Sequence, residues 1–173
     1  ENFEHYKFPD PWAPGYLDYL TDIVGKYSKT HIVTSYHFCT LFERAYMLRG
    51  FENLMTDFYL EEDLLNELLD KITAFHVELA KRCISIGVNC GRTVDDYGTQ
   101  TSMIMSPEIW RKFIKPRLAK IIAVYRDAGL PVIHHSCGAI MPIIGDLIEI
   151  GGNVLNPIQP KALNMKELAA AYG

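Results

Sequence analysis

The chain has 173 residues, enough for one ordinary domain with a real core. Hydrophobic residues make up 49% and the formal net charge is -4, so there is no basic footprint for nucleic acid. No apolar stretch is long enough to span a bilayer and no signal-peptide pattern opens the chain, while four widely spaced cysteines without a CxxC pair fit free thiols in a reducing, cytoplasmic compartment.

Residues 1–30 read as an irregular arm with a short helix. Phe8-Pro9-Asp10-Pro11-Trp12-Ala13-Pro14-Gly15 is too rich in proline and aromatics for a regular element. From Tyr16 to Tyr27, Leu17, Leu20, Ile23 and Val24 fall on one helical face. His31 to Tyr36 has the β-branched and aromatic content of a strand. It runs into His37-Phe38-Cys39, and a helix over Thr40 to Arg49 closes at Gly50.

Glu61 to Ile86 carries the clearest helical periodicity. Leu64, Leu68, Ile72, Phe75, Leu79 and Cys83 recur at spacings of three and four, with carboxylates in the first turn. Val88 to Val94 reads as a strand that ends in Asp95-Asp96-Tyr97-Gly98. Adjacent strand residues point opposite ways, so one aspartate is free to face a pocket while the other anchors a loop or turn. Ser106-Pro107 starts a helix, with Pro116 expected to kink it and Ala128-Gly129 ending it.

The next strand, Val132-Ile133, carries the most informative chemistry. It ends in His134-His135-Ser136-Cys137-Gly138. Alternation sends Ile133, His135 and Cys137 one way and His134 and Ser136 the other. Imidazole and thiolate converging on one object suit zinc; the bland alternative is a buried His and an inert Cys. The pair His37 and Cys39 repeats the spacing, but nothing accompanies it as a third ligand, so a core or loop role is the simpler reading. Met141 to Ile150 reads as a helix, Asn153 to Asn156 as a strand, and Asn164 as the cap of a last helix.

Strands and helices therefore alternate, and polar clusters follow strands: His37, Asp95-Asp96, His135-Cys137 and Asn156-Gln159. Parallel strands with functional carboxyl ends fit a (β/α)8 barrel or an open doubly wound sheet. No GxGxxG follows a strand, which speaks against a dinucleotide site. About four strands amount to roughly half a barrel. The chain opens at Glu1 and stops at Gly173 just after a helical pattern, so it reads as a piece of a longer protein. Exposed barrel edges then imply self-association.

Several motifs in series carry a resemblance over nearly all of 31–173. They are Thr40 to Gly50, Asp95-Asp96-Tyr97-Gly98-Thr99-Gln100, Ser106 to Leu118, His135-Ser136-Cys137-Gly138 and Val154 to Pro160. Together they resemble the uroporphyrinogen decarboxylase superfamily, closest to its methylcobalamin-dependent methyltransferase branch. The resemblance implies an α/β fold, a partial (β/α)8 TIM barrel of the uroporphyrinogen decarboxylase type over 31–173, truncated at both ends.

It further implies zinc held by His135 and Cys137, with a distal cysteine expected beyond Gly173 and Asp95 or Asp96 as an acidic contributor. A chain without that cysteine is expected to bind zinc poorly. Asp95, Asp96 and Tyr46 become candidate catalytic residues, and His37, Gln100, Asn156 and Gln159 candidates for substrate contacts or structural hydrogen bonds. His134 is expected in a supporting or packing role. The implied activity moves a methyl group from a corrinoid, carried as methylcobalamin by a partner protein, to a small thiol or similar acceptor. The alternatives are a metal-independent uroporphyrinogen decarboxylase and a non-catalytic corrinoid-protein docking domain.

Overall fold

The computed structural model describes residues 6–173. Three strands, β1 (Gly91–Val94), β2 (Val132–His135) and β3 (Val154–Asn156), form a parallel sheet in the order β1-β2-β3. Gly91 pairs with Val132 and Val94 with His135; Ile133 pairs with Val154 and His135 with Asn156. Each strand thus lies beside the previous one, without the reversal of order that defines a doubly wound sheet. The sheet is an arc of a (β/α)8 barrel.

A fourth row lies along the other edge of β1. The strand expected at His31–Tyr36 is reduced to two parallel bridges, Thr34 to Cys90 and His37 to Thr93. Its backbone bonds are nonetheless in register: Ser35 N–H donates to Cys90 O and His37 N–H to Arg92 O. Between them, the Arg92 N–H donates to the Ser35 hydroxyl at 3.1 Å. A side chain takes the rung that a ladder needs, and the strand is interrupted there.

The helices are α1 (Asp18–Tyr27), α2 (Phe42–Arg49), α3 (Phe51–Leu60), α4 (Glu62–Ile86), α5 (Pro107–Ile109), α6 (Lys115–Asp127), α7 (Ile144–Glu149) and α8 (Met165–Tyr172). Nothing in the residue pattern announces α3, because Gly50 reads as a stop. In the fold Gly50, at φ 87°, ends α2 and opens α3 at once. The kink expected at Pro116 is a widened π segment over Trp110–Ile114. Proline brings no N–H and crowds the preceding turn, so the turn before it expands. The helix expected from Met141 begins as a 3-10 turn, Met141–Ile143, before α7. Asn164 caps α8 as expected, its Oδ1 accepting from Lys166 N and Glu167 N.

The core lies between the sheet and the pair α4 and α6. Leu68, Leu69, Ile72 and Cys83 meet Leu118, Ile121, Ile122 and Tyr125, all buried. Each such side chain contributes on the order of 1.5–3 kcal/mol relative to exposure. Arg117 crosses between the two helices, with Nε 2.8 Å from Asp70 Oδ1 and Nη2 3.0 Å from Asn66 Oδ1. The arm is tied to α4: Trp12 Nε1 donates to Glu78 at 3.1 Å, and Arg82 donates to Pro11 O and Ala13 O. Among the described residues, no helix is long and apolar enough to cross a membrane.

Strand alternation gives the sheet two unlike faces. Gly91 faces the helices, since a Cβ there would stand 2.6 Å from the Tyr125 ring. Thr93 and Asp95 share that direction, with Val132 and His134 beside them, all buried. Arg92, Val94 and Asp96, then Ile133, His135 and Cys137, look into the concave side.

Candidate metal centre

The carboxyl ends of β1 and β2 bring three donors together on the concave side. Asp96, His135 and Cys137 each offer one atom, and these atoms lie within 4.8 Å of one another. Cys137 Sγ is 3.6 Å from His135 Nε2, which is 3.6 Å from Asp96 Oδ1. All three residues are half-buried, so the cluster is open on one side.

The supporting contacts hold this cluster in shape. Asn156, beside His135 in the sheet, accepts from Nδ1 at 2.8 Å. The proton on Nδ1 leaves the Nε2 lone pair free toward Cys137 and Asp96. Asp96 Oδ1 also accepts from the Cys137 backbone N–H at 2.7 Å, so one carboxylate orients the cysteine loop and faces the cluster. Gln159 Oε1 accepts from the Gly138 N–H at 2.8 Å and fixes the turn after Cys137. Burial, then the negative charges of Asp96 and Glu43, push the Cys137 thiol up from its ordinary pKa.

Asp95 turns the other way and is fully buried. Its carboxylate accepts from Leu41 N at 3.0 Å, Phe42 N at 2.8 Å and Glu43 N at 2.8 Å. The start of α2 has no cap of its own, so a strand neighbour supplies it. Burial pushes the Asp95 carboxyl up to about 7, while the amides of Glu43 and Phe42 pull it down. One aspartate of the pair faces the cluster and the other anchors a helix.

His37 also lies outside the cluster. It is fully buried on the helix side, with Nδ1 3.0 Å from His76 Nδ1 and Nε2 2.6 Å from the Tyr125 hydroxyl. Cys39, in the left-handed region at φ 52°, is sealed in the core. His134 is buried on the helix side, with Nδ1 2.8 Å from Thr93 Oγ1. Gln100 is exposed in the loop after Gly98. Tyr46 is half-buried on α2, its hydroxyl 3.5 Å from Glu43 Oε1.

Glu43 is a residue that sequence reasoning does not single out. It sits in the first turn of α2, at the same end of the sheet as the cluster. Burial and the charge of Asp96 push its carboxyl up, offset by a hydrogen bond from the Asp96 backbone. The available signal is its place in the first helical turn after an expected strand end, the side of the sheet on which His37, Asp95-Asp96 and His135-Cys137 also fall.

Comparisons with known proteins agree with this architecture. The sequence matches the family Uroporphyrinogen decarboxylase (URO-D) over residues 1–165. Over 107 residues it is 29% identical to a uroporphyrinogen decarboxylase from one strain of Thermus thermophilus, and 28% identical to the same enzyme from a second strain. Each alignment covers 62% of this chain and 30% of the relative. A solved methyltransferase from Methanosarcina mazei superposes with a TM-score of 0.70 and 21% identity, over 90% of this chain and 46% of that one. That likeness concerns the fold, and the chain spans less than half of the length of each of these proteins.

Proposed function

Because the chain belongs to the uroporphyrinogen decarboxylase family, we propose that it is part of a zinc-dependent methyltransferase-type barrel acting between a corrinoid and a thiol or similar acceptor. The observation that supports this is the convergence of Asp96, His135 and Cys137 at the carboxyl ends of two neighbouring strands. Imidazole, thiolate and carboxylate form a donor set that suits zinc. A zinc ion held there supplies Lewis acidity and stabilises a thiolate at neutral pH.

The chain's own residues prepare that position. Asn156 holds the His135 tautomer, and Asp96 and Gln159 hold the loop that carries Cys137. Asn156 and Gln159 act by orienting these residues, and Glu43 on α2 places a further carboxyl near Asp96. The methyl donor is a methylated corrinoid presented at the open face by a partner protein, and the reaction takes place in the cytoplasm. Asp95 and His37 serve the scaffold.

A metal-independent decarboxylase is the second reading, favoured by the names of both Thermus relatives. The two readings separate in the protein that carries this chain. His135→Ala and Cys137→Ala are each expected to remove stoichiometric zinc and to lower methyl transfer by at least about a hundredfold. Chelator-insensitive decarboxylation of uroporphyrinogen, unchanged in both variants, would decide for the decarboxylase. Corrinoid-protein binding without any turnover would decide for a docking domain.

A further inference from the structure

The concave face of the sheet holds a charged group that the donor triad does not use. Arg92, Val94 and Asp96 follow one another on that face of β1, and Ile133 stands beside Arg92 in the register of β2. Val154 of β3 is in turn the register partner of Ile133. Along the other edge of β1, Ser35 and His37 turn to the helix side, where both meet the Tyr125 hydroxyl. Tyr36 and Phe38 therefore turn to the concave side. Their rings stack with centroids 5.7 Å apart and planes 21° apart, and both are exposed. The Arg92 guanidinium lies over the Tyr36 ring, 5.3 Å from its centroid.

Arg92 is half-buried, and its charge is uncompensated. Among the described residues, no carboxylate or carbonyl accepts a hydrogen bond from its guanidinium. Its Nε is buried and without a partner, so that N–H has given up water and received nothing in exchange. A ring against one face of a guanidinium leaves the N–H edge available, and that edge is a planar fork that fits the two oxygens of a carboxylate. Ile133, half-buried, and Val154, exposed, give the face an apolar strip beside this fork. Asp96 stands four residues further along β1, about 13 Å away along the strand, and its negative charge repels a second carboxylate at that end.

We propose that the concave face binds the carboxylate of a small molecule with an apolar chain. The carboxylate sits on the Arg92 guanidinium and the chain lies along Ile133 and Val154. Arg92 and Asp96 together fix which way round such a molecule lies, so its other end points to Asp96, His135 and Cys137. The carboxylate site is built by Arg92 and the Tyr36 ring, and it does not depend on a metal at the triad.

The test is a titration of the 173-residue chain with hexanoate, and separately with hexanol, without added metal and with chloride holding the ionic strength constant. The Ile133 and Val154 methyl signals are followed by nuclear magnetic resonance. Hexanoate is expected to give a saturable shift, with a dissociation constant at least about fivefold below that of hexanol. Arg92→Gln should remove this advantage and leave the hexanol response as it was, a split that a merely structural role would not produce. Arg92→Lys should keep part of the advantage, and Cys137→Ala should keep all of it. Circular dichroism checks that each variant is folded. Equal affinities in the unsubstituted chain, a linear response to hexanoate, or an advantage undiminished in folded Arg92→Gln overturns the proposal.

Discussion

The substitution Gly138→Ala is expected to destabilise the chain by roughly 3 kcal/mol or more and to disperse the donor triad. Gly138 sits at φ 88°, where a side chain is strained in any case. An added Cβ would also stand 2.3 Å from Gly98 C, 2.4 Å from Gly98 O and 2.6 Å from Thr99 O. These are backbone atoms, so no rotamer change relieves the clash. Gly98 faces the same contact from the other side, with a Cβ there 2.7 Å from Ala139 N. The two glycines press the loop after Asp96 against the loop after Cys137. Separating them lengthens the Asp96 to Cys137 N–H contact and moves the sulfur from the imidazole. Denaturant unfolding of Gly138→Ala measures the stability loss. Gly25→Ala is the control, since open space surrounds Gly25 within α1 and a gain of about 0.5–1 kcal/mol is expected there.

The second large effect is a loss of stability in acid. Burial pushes His37 down to about 4 and His134 down to about 3, and burial with the neighbouring His37 and Arg44 pushes His76 well below its ordinary value. In the unfolded chain each of these titrates near 6.5. The unfolded state therefore binds up to three more protons between about pH 6 and pH 4, and stability falls as pH falls through that window. Asp95, raised to about 7, works in the opposite sense, because its folded form takes a proton that the unfolded form lacks until about pH 4. The net difference is about two protons near pH 5, or on the order of 2–3 kcal/mol lost per pH unit. Urea unfolding from pH 7 to pH 4.5 reads this slope, and His134→Leu should lower it by about one proton. A flat profile would mean that the three imidazoles are not held neutral.

Much of this architecture is legible in the residues, for reasons that can be named. Alternation along β2 places His135 and Cys137 on one side and His134 on the other, because a strand has a strict period of two. Polar residues cluster after strands, which marks the functional end of a parallel sheet. The pair Asp95-Asp96 can be split into an anchor and a cluster-facing residue, but not assigned. The assignment depends on which face of β1 meets the helices, and Gly91 under the Tyr125 ring decides it. His37 reads as part of the site because it ends a strand; its direction depends on the partner that β1 provides. His76 is hidden inside the stripe of α4, where a histidine on a buried face looks like packing. Glu43 escapes notice because a single glutamate in a first helical turn is ordinary capping chemistry until the neighbouring strand ends are in place.

Cobalt(II) titration of the 173-residue chain tests the proposed centre most directly, because thiolate coordination gives cobalt a strong charge-transfer absorption that water and carboxylate do not. Asp96, His135 and Cys137 predict weak but saturable binding at a single site, a single-thiolate absorption, and loss of that band in Cys137→Ala and His135→Ala. An absence of thiolate absorption at saturating cobalt, or the same band in Cys137→Ala, would contradict a metal centre at the ends of β1 and β2.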